Sequence, residues 1–369
     1  MSWHKHIVGK FDAWAFDSFG MSAQGWATYR VFLALYLIWF FLPWPGARTW
    51  LADIPNELWT PPPGPMMMFG GFPSGWAILG IEIAALLAAV FLLFGIGRRC
   101  TPVLLGTLIF LYQGFLYSTG KIDHSSHLLI ASVFVCAFSP WMGTNVEKED
   151  TNIGTGWPLT FLALLVGFAM LTAGADKFLQ GWLWTTDQAV QNVTYRQVGV
   201  DGRESLLAEP MLSTLPWTVW EVLDWATVFF EIGFFFAAIS PRWFRIFCAG
   251  AVVFHAGVAS ILSISFVHQL PVYAAFLDWD RISHHPQLMG FKENLSNIWE
   301  SASVIGHTGI VAASLVTIAG VKVGLVDVLN SVKFAGTTLT TQLLFATALT
   351  VIATRICPTF VSTKESTRE

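Results

Sequence analysis

Charge is scarce in this chain: Asp, Glu, Lys and Arg together make up only 12 % of its residues. A soluble domain carries about twice that share, so a fully water-solvated surface is excluded. Cysteine is sparse too. Cys100, Cys136, Cys248 and Cys357 sit in or at the ends of apolar runs, and no two share a C-x-x-C spacing. That argues against a dithiol redox centre or a cysteine metal site and leaves small buried hydrophobes. The net charge of -4 gives no electrostatic handle for nucleic acid. A cleavable leader is not expected, because Lys5 and Lys10 precede no apolar core before Trp26.

What the chain has is length of apolar sequence. Hydrophobic residues reach 54 %, mean hydropathy is +0.58, and several windows meet the roughly twenty residues that a membrane span requires. The expected fold is therefore all-α, a polytopic membrane bundle. Spans are read at 26–44, 76–97, 102–119, 126–142, 157–178, 217–239, 244–264, 303–325 and 341–357. Tryptophans at segment ends, among them Trp44, Trp76, Trp157 and Trp217, fit an interfacial belt. Residues 1–24 carry Trp3, Ile7, Phe11 and Trp14 at helical spacing, which predicts a helix lying in the interface.

The stretch 244–279 is too long for one crossing. A turn at Ser263 and Ser265 would let 266–279 return as a short tenth span. With that hairpin and a cytoplasmic N-terminus, twelve Lys and Arg lie inside and six outside; without it the division is nine and nine. The positive-inside rule favours ten spans and two cytoplasmic termini over nine spans. Residues 25–285 then form the main membrane domain, and 286–369 add two spans and a tail.

On this topology the ionisable groups gather at the non-cytoplasmic ends of the spans. Lys177 and Asp176 close the run 157-WPLTFLALLVGFAMLTAGADKFLQGWLW-184; Asp123, His124 and His127 sit where the third span turns into the fourth. Glu82, Glu221, Asp224 and His268 lie nearby in depth, and His255 falls in mid-span. Ionisable groups in spans are costly and by default functional, although a terminal lysine also snorkels to the head groups. His255 serves equally as helix–helix glue or as a site residue. Arg30 and Glu231 lie on the inner half, where Arg30 either snorkels inward or pairs with Glu231. His124 and His127, three apart, lack a third ligand, so no metal is expected. Phe161, Phe168, Phe178, Trp182 and Trp184 suit either a flat apolar ligand or lipid-facing packing. The Pro- and Met-rich loop 60-TPPPGPMMMFGGFP-73 reads as an outer lid or a plain connector.

Several of these segments resemble one family. The ending AGADKFLQGWLW, the opening 29-YRVFLALYLIWF-40, the turn GIGRR at 95–99, the start 120-GKIDHSSHLL-129 and the piece 255-HAGVASILSISFVHQLPVYAAFLDW-279 are similar to the vitamin K-dependent gamma-carboxylase-like (HTTM) membrane domain. The AGxxKL-like ending is shared with DoxX-type membrane proteins. The resemblance implies an intramembrane lysine, here Lys177, acting as general base on a quinol-type cofactor, with His255 and His127 as partners. Asp123, His124, Glu221, Asp224, Glu82, Trp182 and His268 would line the cavity. The chain lacks the large extramembrane domain that grips peptide substrates in the carboxylases. A separate soluble or membrane partner would have to replace it, or the chemistry would stay with lipid-soluble substrates. The alternative is a non-enzymatic scaffold, assembly factor or transporter in which Lys177 and the acids form structural ion pairs. On the enzymatic reading, Lys177→Ala is expected to abolish activity with stability near normal.

Overall fold

A computed structural model describes residues 2–120, 126–139, 156–184, 188–203 and 205–284. Asp123, His124 and the spans expected at 303–325 and 341–357 lie outside the described residues. Those residues are helical, with no strand beyond one isolated bridge between Thr60 and Thr119. Four helices are long and apolar enough to cross a membrane: α3 (Gly75–Phe94), α4 (Cys100–Tyr117), α6 (Trp157–Leu179) and α10 (Pro241–Leu262). Twenty residues rise about 30 Å, the thickness of the hydrocarbon layer. The other helices are α1 (Ser2–Asp17), α2 (Ala23–Tyr36), α5 (His127–Cys136), α7 (Ala189–Tyr195), α8 (Ala208–Thr214), α9 (Trp217–Ala237), α11 (Leu270–Ala274) and α12 (Trp279–Ser283). At 21 residues α9 has a spanning length, but it carries Glu221, Asp224 and Glu231.

Local signals set the helix ends. Ser22 and Ser74 cap α2 and α3, their hydroxyls accepting the N–H of Gly25 and Ala77. Gly95, at φ +73°, ends α3: its N–H donates to Leu92 O and that of Ile96 to Phe91 O. This is the reciprocal pattern that a left-handed glycine allows. Ser263, at φ +52°, ends α10 where the sequence places its turn. The segment after it is not one continuous helix. A 3-10 turn, Val267–Gln269, leads into the five residues of α11, and then the chain turns.

Contacts divide the described residues into two compact units, the first up to Leu162 and again from Ala274, the second from Ala163 to Tyr273. In the first, α3 and α4 form a hairpin. Phe134 of α5 sits on Gly106 of α4, and Trp279 of α12 packs on Tyr29 and Phe32 of α2. The loop from 42 to 74 is folded, with 3-10 turns at Thr49–Asp53, Asn56–Leu58 and Pro65–Met68. Met66 fills a notch at Gly114 and joins Leu51, Ile78 and Phe115 in a small core. Most of α1 is exposed, including Ile7 and Phe11, as an interface-lying helix requires. Arg30 reaches the end of a helix in its own unit. Its Nη1 donates to Leu92 O at 2.8 Å, placing a cation at the carbonyl end of α3, where the helix dipole favours it.

In the second unit α9 and α10 meet through phenylalanine. Phe230 stacks on Phe247 with centroids 5.4 Å apart, and Phe234 meets Phe244 edge-on. The approach of α6 to α9 runs over glycine. A Cβ at Gly167 would lie 3.1 Å from Phe235 Cα, and one at Gly174 would lie 2.9 Å from Glu231 Cβ.

Candidate functional site

That close approach builds the site. At the last turn of α6, Lys177 Nζ donates to both Glu231 oxygens, at 2.8 and 2.7 Å. Glu231 is buried at 5 % exposure, and the Lys177 side chain is 22 % exposed. A third donation goes to Ala173 O at 3.4 Å. The Trp182 ring centroid lies 5.5 Å from Nζ, within cation–π range. The amine therefore points to a carboxylate, an aromatic face and the carbonyl end of its own helix. All three are electron-rich partners for a side chain that only donates.

Glu231 is the partner that sequence reading set apart by depth. A signal for it existed. Asp224 and Glu231 are seven apart, two helical turns, and so share one face of α9. Phe161, Phe168, Phe178 and Trp184 are all exposed. Of the five aromatics proposed as walls, Trp182 is the one that lies against the amine.

The other proposed residues are engaged as follows. Asp224, fully buried, accepts the N–H of Ala189 and of Val190 at 2.8 and 2.7 Å, fixing the start of α7. Glu221 accepts from the Trp225 indole at 2.9 Å. In the first unit, Glu82 (2 % exposed) accepts the N–H of Gly46 at 2.5 Å and of Arg48 at 3.2 Å. There too, exposed His127 sets its ring 5.5 Å from that of Tyr117. His268 lies half-buried in the 3-10 turn after α10.

His255 is buried in the second unit at 3 % exposure. Its Nε2 is 2.9 Å from Gln269 Oε1 and 2.9 Å from Tyr273 Oη, and Tyr273 Oη donates to Gln269 Oε1 at 2.5 Å. With the tyrosine proton committed to the amide oxygen, both atoms facing Nε2 are acceptors. The imidazole is thereby held as the Nε2–H tautomer. Its Nδ1 keeps a lone pair and has no hydrogen-bond partner among the described residues. Phe266 stacks on the ring at 4.5 Å between centroids. Phe234, nearly one turn beyond Glu231, has its ring centroid 6.2 Å from that of Tyr273. The spacing of Gln269 and Tyr273, four apart, was a legible sign of a shared face; their tie to His255 was not.

Among the described residues, fold and site define an all-helical protein with four helices long and apolar enough to cross a membrane, and a lysine paired with a buried glutamate. No family model, curated protein or solved structure matches the chain.

Proposed function

We propose that this chain is an HTTM-like membrane enzyme acting on a quinol-type or other lipid-soluble substrate, with Lys177 as base and Glu231 as the group that takes up the lysine proton. The observation that carries this reading is the pair itself, with both oxygens of buried Glu231 within 2.8 Å of one amine. In a dry environment an ion pair and the neutral amine–acid pair approach each other in free energy. A proton passed to Glu231 frees a nitrogen lone pair, which then takes the proton of an acidic hydroxyl. His255, whose buried Nδ1 has no hydrogen-bond partner among the described residues, is a further candidate proton acceptor in the same unit.

The topology proposed with it has ten spans, both termini cytoplasmic and the Lys177 end on the non-cytoplasmic side. The left-handed Ser263 at the end of α10 supports the hairpin. The helical piece 267–274 rises only about 12 Å, so the short returning span 266–279 is not one continuous helix. Val272, Ala275 and Phe276 are nearly fully buried, which is what lets a broken helix persist at membrane depth.

One observation favours a second reading, a scaffold, assembly factor or transporter. The amine is already closed on its carboxylate, carbonyl and indole, as a structural tie would be. The variant Lys177→Met/Glu231→Leu separates the two, because it removes both charges together. Lipid extracts of the purified proteins are compared by mass spectrometry. A quinone-class molecule carried by the native protein and lost from the folded double variant supports the enzyme. Equal extracts and unchanged cellular function leave the pair a structural tie.

A further inference from the structure

A second polar centre lies in the first unit, under the loop from 42 to 74. α3 and α4 are antiparallel, so Glu82, two turns into α3, and Tyr112, near the end of α4, belong to the same end of the hairpin. The loop closes over that end through Met66 at Gly114 and a hydrogen bond from Thr60 N–H to Ser118 O at 2.8 Å. Glu82 spends its oxygens on the backbone of Gly46 and Arg48 and makes no ion pair with the Arg48 guanidinium. That group lies over the Tyr112 ring, 4.5 Å from its centroid. Arg48 Nη1 and Tyr112 Oη are both buried, and neither has a hydrogen-bond partner among the described residues. Tyr112 is only 3 % exposed.

Two adjacent orphan donors in one place are unusual, since more than about 90 % of buried polar groups are satisfied. Guanidinium only donates, so the missing group is an acceptor, and an anionic oxygen suits it best. The outer surface of the loop indicates its source. Trp44, Trp50, Met67 and Met68 are exposed, Met68 at 86 %. Tryptophan and bare apolar side chains beside an arginine belong at the boundary between head groups and acyl chains. The anionic oxygen plentiful at that depth is a lipid phosphate. We propose that Arg48 and Tyr112 form a head-group site for an anionic phospholipid, with the loop seated over the bound lipid. The site requires the membrane setting but not the chemistry assigned to Lys177.

The test uses the full chain in detergent, with Tyr112→Phe and Arg48→Gln. Tyr112→Phe keeps the ring under the guanidinium and deletes one oxygen, so it remains informative if Arg48→Gln fails to fold. Phosphatidylglycerol, phosphatidylcholine and inorganic phosphate are added in turn, with native mass spectrometry and thermal unfolding as readouts. Phosphatidylglycerol should stay bound and raise Tm, with the apparent affinity lowered about tenfold or more in each variant, as loss of a charge-assisted hydrogen bond implies. An equal rise with inorganic phosphate would mean a free-anion site and overturn the lipid assignment. Equal retention of phosphatidylglycerol by Tyr112→Phe and the native protein would overturn the site itself, leaving the donors to a trapped water.

Discussion

Lys177 holds both oxygens of Glu231 across 54 positions of chain, fixing the end of α6 against the second half of α9. Gly174 makes this possible, because any larger residue one turn before Lys177 would meet the Glu231 stem.

Removing one partner alone strands the other. Lys177→Ala should destabilise the protein by about 3–5 kcal/mol, because a buried carboxylate is left uncompensated. This revises the sequence-based expectation that stability stays near normal. Lys177→Met/Glu231→Leu should recover most of the loss, since apolar replacement of a buried pair is often neutral. Denaturant unfolding in micelles measures both variants and the native protein; equal stability of Lys177→Ala and the native protein would show that the pair contributes nothing.

Gly174→Ala should cost about 1–3 kcal/mol through overpacking. The added methyl would meet Ile232 N, a backbone atom that cannot rotate away, at 3.1 Å. A lowered Tm in detergent checks this, and an unchanged Tm would mean that α6 and α9 separate freely at that level.

His255 should be the Nε2–H tautomer, read from side-chain nitrogen shifts in histidine-labelled protein. Tyr273→Phe removes the donor to Gln269 and an acceptor of Nε2–H. It should cost about 1–3 kcal/mol as buried groups lose partners and raise the share of the other tautomer. A native spectrum with Nδ1 protonated would contradict donation from Nε2 to the amide and phenol oxygens.

Gly114→Val should displace Met66, because the new Cβ would overlap its Sδ. The loop would then lose its anchor. Limited proteolysis around exposed Met67 and Met68 should become faster, while far-UV helicity stays close to native. Equal cleavage rates would show that the loop is held by other contacts.

Part of this was legible in the sequence for a physical reason. Apolar runs in a membrane must satisfy their backbone groups locally, so 76–97, 102–119, 157–178 and 244–264 had to be helices. The structure has α3, α4, α6 and α10 there. Ser74 and Gly95 mark ends that their own chemistry dictates. Arg48 was not legible as a site residue, because a loop arginine among Pro and Trp carries no periodicity to place it. Tyr112 was hidden within an apolar helical run, where a single tyrosine reads as core.

Helix content, apolar length and the placing of Lys177 at a helix end are properties of consecutive residues, and the sequence alone determined them. Which carboxylate meets that amine is decided by how two helices pack. The tertiary structure chose Glu231 over Asp224 because the glycines of α6 bring its end level with the second turn of α9 from the C-terminus, while the oxygens of Asp224 are taken by the backbone of α7.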